Sequence, residues 1–275
     1  MIPSVLAVAG SDSGGGAGIQ ADLAAIHALG AWATTAVTCL TAQNPHEVTR
    51  VEAADPAMVA EQIATVCRRL PPATVKIGMT YSAEIIAAVA EALARHAPGV
   101  PVVLDPVMRA TSEASLLEPG GEAALAERLL PIATVVTPNL AEARVLAGCG
   151  PIRSLAEMEE VARAIARRTP ATVVVKGGHL DQEATDVVLH QGQLHHLRGE
   201  RIGAGSTHGT GCSLSSAVAA GLATGLDVLA ALRQAKAYVT SLLRWRVTLA
   251  ADGTAGLGVV HPGGTWRLRL DAEGG

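Results

Sequence analysis

The run Ser206-Thr207-His208-Gly209-Thr210-Gly211-Cys212 holds the residues best suited to chemistry in this chain. Its glycines let backbone approach a ligand closely. The small-residue helix expected from 209 to 224 gathers unpaired N–H donors and positive dipole at its start. Such a site suits a phosphoryl group in transit. Cys212 falls inside that field, which is expected to lower a thiol toward thiolate and make it a general base or nucleophile; the alternative is a small buried hydrophobe.

Two carboxylates and a lysine fall at similar places, just past apolar runs. Asp105 ends Val102-Val103-Leu104 and precedes Pro106, and Glu142 follows Thr137-Pro138-Asn139 at a helix start. Together they could hold Mg²⁺ against phosphate oxygens, although Glu142 could instead stabilise its helix dipole. Lys176 closes the run from 172 and precedes Gly177-Gly178-His179, where an ammonium could neutralise transferring phosphate oxygens. Lys76, before Ile77-Gly78-Met79, could equally be half of a structural ion pair. Only Lys76, Lys176 and Lys236 are lysines among 21 cationic residues, so each stands out.

A glycine-rich turn, Gly10 to Gly18, leads into a helix and could face a polar or anionic ligand. Gly16-x-Gly18-x-x-Ala21 matches a dinucleotide-binding turn, but Leu40 is followed by Thr41-Ala42-Gln43-Asn44 and not by the required acid. No Gly-Lys-Ser/Thr occurs, which excludes a P-loop nucleotide site. Gln43 could pair with the donor and acceptor edge of an aminopyrimidine, or be an ordinary loop residue.

Positioning these residues requires a sheet. Strand-length apolar runs at 4–9, 34–40, 74–77, 100–104, 134–137 and 172–176 alternate with helical segments at 18–29, 56–70, 82–95, 121–130 and 155–168. That rhythm predicts an α/β fold with a mainly parallel sheet covered on both faces. Segments 185–190 and 194–197, split by Gln191-Gly192-Gln193, predict an antiparallel hairpin at one edge, and helices are expected at 209–224 and 227–245. No linker or repeat divides residues 1–275, so one domain is expected, with a loop-like tail from about 252. Ligands of such sheets bind beyond the carboxyl ends of the strands, where the polar residues above fall.

Composition narrows the partners. The chain has 275 residues, 49% hydrophobic, a net charge of −4 and scattered cations, which argues against nucleic acid or a basic membrane patch and for a small-molecule substrate. No apolar run reaches membrane-span length, and no basic leader precedes the first apolar segment. Four dispersed cysteines lack disulfide or zinc spacing, and a cytoplasmic protein is expected.

In order along the chain, Ala9-Gly10-Ser11-Asp12 with 14–22, Ala42-Gln43-Asn44, Lys76-Ile77-Gly78-Met79, 103–108, 137–142, 176–179 and 207–212 resemble segments of one family. It is the hydroxymethylpyrimidine and phosphomethylpyrimidine kinases of thiamine biosynthesis, within the ribokinase-like superfamily. The resemblance implies a three-layer ribokinase-like fold, ATP and Mg²⁺, a homodimer, and two successive phosphorylations to the monophosphate and then the pyrophosphate. It places Gln43, Gly10, Ala17, Asp22, Met79 and Val107 at the pyrimidine, and Gly209, Thr210 and Gly211 as the anion hole. Cys212 takes the position of the catalytic base, Lys176 serves the phosphates, and Asp105 and Glu142 the metal. Asn139, Lys176, Thr207, Gly209 and Gly211 fall to ATP. Thr111, Glu113 and Gly205 depart from the family pattern, leaving Arg109 or Arg201 to supply missing phosphate contacts. The alternatives are a pyridoxine/pyridoxal kinase, a thiol hydrolase built on Cys212, and a non-catalytic pyrimidine-binding module.

Overall fold

The computed structural model describes residues 1–110, 115–178, 184–200, 202, 208–245, 247–248, 255–257, 260–261 and 264–265. Thr207, Thr111, Glu113, His179, Arg201 and Gly205 lie outside them.

A nine-stranded sheet runs in the order β3-β2-β1-β4-β5-β6-β7-β8-β9. The strands are β1 (Ser4–Asp12), β2 (Trp32–Gln43), β3 (Val48–Ala53), β4 (Thr74–Ile77), β5 (Val102–Leu104), β6 (Val135–Val136), β7 (Thr172–Val175), β8 (Asp186–His190) and β9 (Gln193–Leu197). From β2 through β7 neighbouring strands are parallel. Antiparallel pairs close both edges, β2 with β3 at one and β7, β8 and β9 at the other. The sequence pattern predicted only the second edge. Gln191 and Gly192 both have positive φ, which is how a two-residue loop turns β8 into β9.

Alternation along the strands builds two cores. Leu6 and Val8 of β1 face one side while Val5, Ala7 and Ala9 face the other, and Val102 and Leu104 oppose Val103 in the same way. The first side is covered by α2 (Pro56–Arg69), α3 (Ala83–His96), the short α4 (Gly121–Ala124), α5 (Leu140–Ala147) and α6 (Leu155–Ala166). The second is covered by α1 (Gly18–Ala28), α7 (Thr210–Ala223) and α8 (Val228–Arg244). The layers are therefore helix, sheet, helix, as predicted. The helix expected over 121–130 departs from α geometry after Ala124, with a wider turn at Leu125–Leu129 and a tighter one at Leu130–Ile132, where Pro131 cannot donate a backbone hydrogen bond. Val247–Thr248 pairs with Ala255–Gly256, and Val260–His261 with Gly264–Thr265, so short strands lie within the tail expected to be loop-like from about 252.

Strand β1 lies between β2 and β4, so the chain leaves it through α1 in one direction and later returns on its other side. Such a reversal opens a crevice at the carboxyl ends of the strands. Helix starts differ around it. Side chains of Asp55, Ser82, Asn139, Ser154 and Asp227 cap α2, α3, α5, α6 and α8. Helices α1 and α7 begin at Ala17 and Gly209 with no side-chain cap, and both starts line the crevice. With no capping side chain over it, the start of α7 faces the crevice directly.

Candidate active site

Asp12, at the end of β1, organises the glycine turn. Its carboxylate accepts N–H groups from Gly14 (2.8 Å), Gly16 (3.1 Å) and Ala17 (2.8 Å). His208 Nε2 lies 3.1 Å from the same side chain, which ties the turn to the start of α7. Burial pushes the Asp12 carboxyl up, but His208 and the backbone donors outweigh it and hold it below its ordinary value. At Gly209 (φ +83°) a Cβ would fall 1.8 Å from the Gly16 carbonyl oxygen, so only glycine lets the two loops meet this closely.

The loops roof a cavity of about 1170 Å³. Gln43 at the end of β2 lines it; the Thr41 hydroxyl donates to Gln43 Oε1 at 3.2 Å and orients the amide. Met79, Cys39 and Leu116 form an apolar cluster against which Val107 and Ala110 pack, giving a flat ring an apolar wall. Gly10 and Ala17 also line this cavity.

Asp105, Glu142 and Lys176 meet in the same cavity. Lys176 Nζ donates to Asp105 Oδ1 at 2.8 Å, and Thr137 Oγ1 donates to the same oxygen at 3.3 Å. Burial lowers the Lys176 ammonium, but Asp105 and Glu142 more than offset it, so it stays firmly protonated. Glu142 and Asn139 form a reciprocal cap, with Asn139 N–H donating to Glu142 Oε2 at 2.7 Å and Glu142 N–H to Asn139 Oδ1 at 2.9 Å. The dipole role considered from sequence is thus present in the geometry. Burial pushes Glu142 up to about 7, with Asp105 adding repulsion and Lys176 opposing. A cation would relieve two crowded carboxylates. Among the described residues no three His, Cys, Asp or Glu side chains converge on a metal; the two carboxylates are hard oxygen donors, of the kind that suits Mg²⁺ completed by phosphate oxygens.

Cys212, in the first turn of α7, is partly exposed to the cavity. The expected depression of its pKa is not found. Burial pushes the thiol up to about 11, and Asp22 and Asp105 add to this, against the Lys76 ammonium and the Gly18 N–H. Desolvation is the largest cause, and the repulsion of the two carboxylates adds to it.

Asp22 is also placed differently from expectation. It is wholly buried, takes no part in the cavity lining, and accepts from Lys76 Nζ and Ser216 Oγ, both at 2.7 Å. Gly10, Ala17, Gln43, Met79, Val107, Asp105, Asn139, Glu142, Lys176, Gly209, Thr210, Gly211 and Cys212 do line the cavity. Sequence reading missed Asp12, although Asp12-Ser13-Gly14 is a turn signature, and the ion pair of Asp186 with Lys236 (2.7 Å) that ties β8 to α8, although lysine scarcity pointed to Lys236.

A family model described as phosphomethylpyrimidine kinase matches residues 12–256. A hydroxymethylpyrimidine/phosphomethylpyrimidine kinase of Rhizobium meliloti (strain 1021) is 49% identical over 240 residues, 87% of this chain and 90% of the relative. Among solved structures, an ADP complex of Bacillus subtilis pyridoxal kinase superposes with a TM-score of 0.86 at 34% identity, over 94% of this chain and 97% of that one. Phosphomethylpyrimidine kinase from Clostridium difficile 630 superposes with a TM-score of 0.77 at 38% identity, over 87% and 98%.

Proposed function

The chain belongs to the phosphomethylpyrimidine kinase family, and from that premise we propose that it phosphorylates the hydroxymethyl group of 4-amino-5-hydroxymethyl-2-methylpyrimidine with ATP and then phosphorylates the monophosphate. One observation carries the reading. A single cavity joins an amide and an apolar wall suited to an aminopyrimidine with a lysine, two carboxylates and an uncapped helix start suited to a phosphoryl group.

In this reading Gln43 orients the ring so that its hydroxymethyl oxygen faces the first turn of α7. Backbone N–H groups of Gly209, Thr210 and Gly211 receive the charge that spreads over the transferring phosphoryl oxygens, and Lys176 neutralises part of it. Cys212, once ionised, takes the hydroxyl proton as the oxygen attacks the γ-phosphorus and ADP leaves. Asp105 and Glu142 would hold Mg²⁺, which would supply charge neutralisation at the phosphates. Asn139 and the start of α7 serve ATP, while Thr207 lies outside the described residues. We extend the reading to a homodimer acting in the cytoplasm; no helix among the described residues is long and apolar enough to cross a membrane.

The Bacillus subtilis likeness favours pyridoxal as a second substrate, whereas the higher identities are to pyrimidine kinases. Incubating the protein with Mg-ATP and either compound, and following phosphorylated products over time, separates the two. Monophosphate followed by diphosphate on the pyrimidine supports the reading; pyridoxal phosphate as the main product moves the enzyme to vitamin B6 salvage, and no product from either overturns it.

A further inference from the structure

Beneath the cavity lies a charged cluster that no step above uses. Lys76 of β4 is 0% exposed, and its Nζ donates to Asp22 Oδ1 at 2.7 Å. Ser216 Oγ donates to that same oxygen at 2.7 Å, while Asp22 Oδ2 is buried with no hydrogen-bond partner. An ion pair that only stabilised the fold would be poorly chosen, since well-packed apolar residues usually serve as well at such a site.

The register of two helices says what the cluster faces. Ser216 lies four residues beyond Cys212 on α7, and Asp22 four beyond Gly18 on α1, so each pair shares one helix face. Ser216 of α7 donates to Asp22 of α1, and the Gly209 backbone meets the Gly16 carbonyl just ahead of both helices. The two uncapped helix starts therefore lie side by side, with β4 packed against α7 beneath them. Room for the ammonium is made by Gly78, where a Cβ would fall 2.8 Å from Lys76 Nζ.

We propose that Lys76 is a positioning residue for the kinase reaction: its ammonium, held by Asp22 and Ser216, is the fixed counter-charge that sets how readily the Cys212 thiol releases its proton. The consequence for turnover rests on Cys212 acting as the base; the effect on the thiol does not. Charged groups facing Cys212 are Lys76 from β4, Asp22 from α1 and Asp105 after β5, with Lys176 after β7 paired to Asp105. Lys76 is the cation that acts most strongly on the thiol, and it is itself held protonated: burial lowers it, but Asp22, Cys212 and Asp105 outweigh that. Asp22 acts in two opposed ways, anchoring the ammonium and repelling the thiolate.

The test reads the thiol without turnover. The rate of iodoacetamide alkylation at pH 8.5, followed by mass spectrometry on the Cys212 peptide of the full chain, is proportional to the thiolate fraction, with about tenfold for each unit of thiol pKa. Lys76→Met is expected to slow alkylation about tenfold or more and Lys76→Arg to stay near wild type. Asp22→Asn, a neutral isostere that keeps an acceptor for Ser216, is expected to speed it severalfold, and Lys76→Gln is the deciding variant if Lys76→Met does not fold. A merely structural pair would lower the melting temperature in these variants and leave the Cys212 rate unchanged, and an unchanged rate in folded Lys76→Met or Lys76→Gln overturns the proposal. Absence of kinase activity in the wild type would sink the proposed function and leave this titration standing.

Discussion

Asp12 and His208, 196 residues apart in the chain, meet at 3.1 Å, and through that contact one carboxylate controls both loops that roof the cavity. Asp12→Ala strands three backbone donors and is expected to cost about 2 kcal/mol or more of stability, with kcat falling and KM rising together. The pH sign follows from the depressed Asp12 carboxyl. Its stabilisation is full above the ordinary carboxylate range and is lost as pH falls through the lower folded value. Urea midpoints of wild type and Asp12→Asn should therefore differ at pH 7 and converge toward pH 3. Parallel curves across that range would remove Asp12 as the latch.

Gln43 is held by the Thr41 hydroxyl at the end of β2, so removing its amide should disturb recognition and not the phosphoryl end. Gln43→Ala is expected to raise KM for the hydroxymethylpyrimidine roughly tenfold or more, as loss of one or two hydrogen bonds implies, with kcat within a few fold. Pyridoxal offers a different edge and should be less affected. Equal weakening of both substrates would show that Gln43 shapes the pocket without choosing the ring.

Much of the layered fold was legible because alternation in β1, β5 and β7 puts apolar residues on both faces, a pattern only a doubly covered strand needs. Strand β3 was not, since Arg50 and Glu52 make Val48–Ala53 read as a polar connection when it is an exposed edge strand. The cavity lining was legible residue by residue at the ends of strands. Ionisation was not: the Cys212 thiol is raised first by burial and then by Asp22 and Asp105, brought from distant segments, while its helix-start position alone argues for the opposite sign. Asp22 misled for a related reason, because its partner Lys76 lies 54 residues away and draws it beneath the site.

Glu142 has two roles that substitutions can separate. Glutamine retains an acceptor oxygen for the reciprocal cap with Asn139 but carries no charge, whereas alanine loses both. Glu142→Gln should melt within about 1 kcal/mol of wild type yet need several times more Mg²⁺ for half-maximal rate, while Glu142→Ala should also lose about 1 kcal/mol of stability. A glutamine variant with an unchanged Mg²⁺ requirement would confine Glu142 to capping α5.

Cys212 supplies the sharpest kinetic expectation because its sign is unusual for a base at a helix start. With the thiol pushed up to about 11, the thiolate fraction at pH 7 is on the order of 10⁻⁴, so the reactive form grows tenfold with each pH unit well below that value. Log kcat should rise with pH between 7 and 9 at a slope approaching one wherever proton removal limits turnover. Replacing Cys212 by alanine should lower kcat by about 10²- to 10⁴-fold at pH 9, flatten the profile and leave pyrimidine binding nearly intact, since Gln43 and the Met79 wall are untouched. The same high pKa that makes the thiolate scarce also makes it a stronger acceptor for an alcohol proton, so scarcity and strength oppose each other in the rate. A flat wild-type profile, together with alanine and wild-type kcat agreeing within about threefold, would leave the anion hole and Lys176 as the whole of the catalytic apparatus.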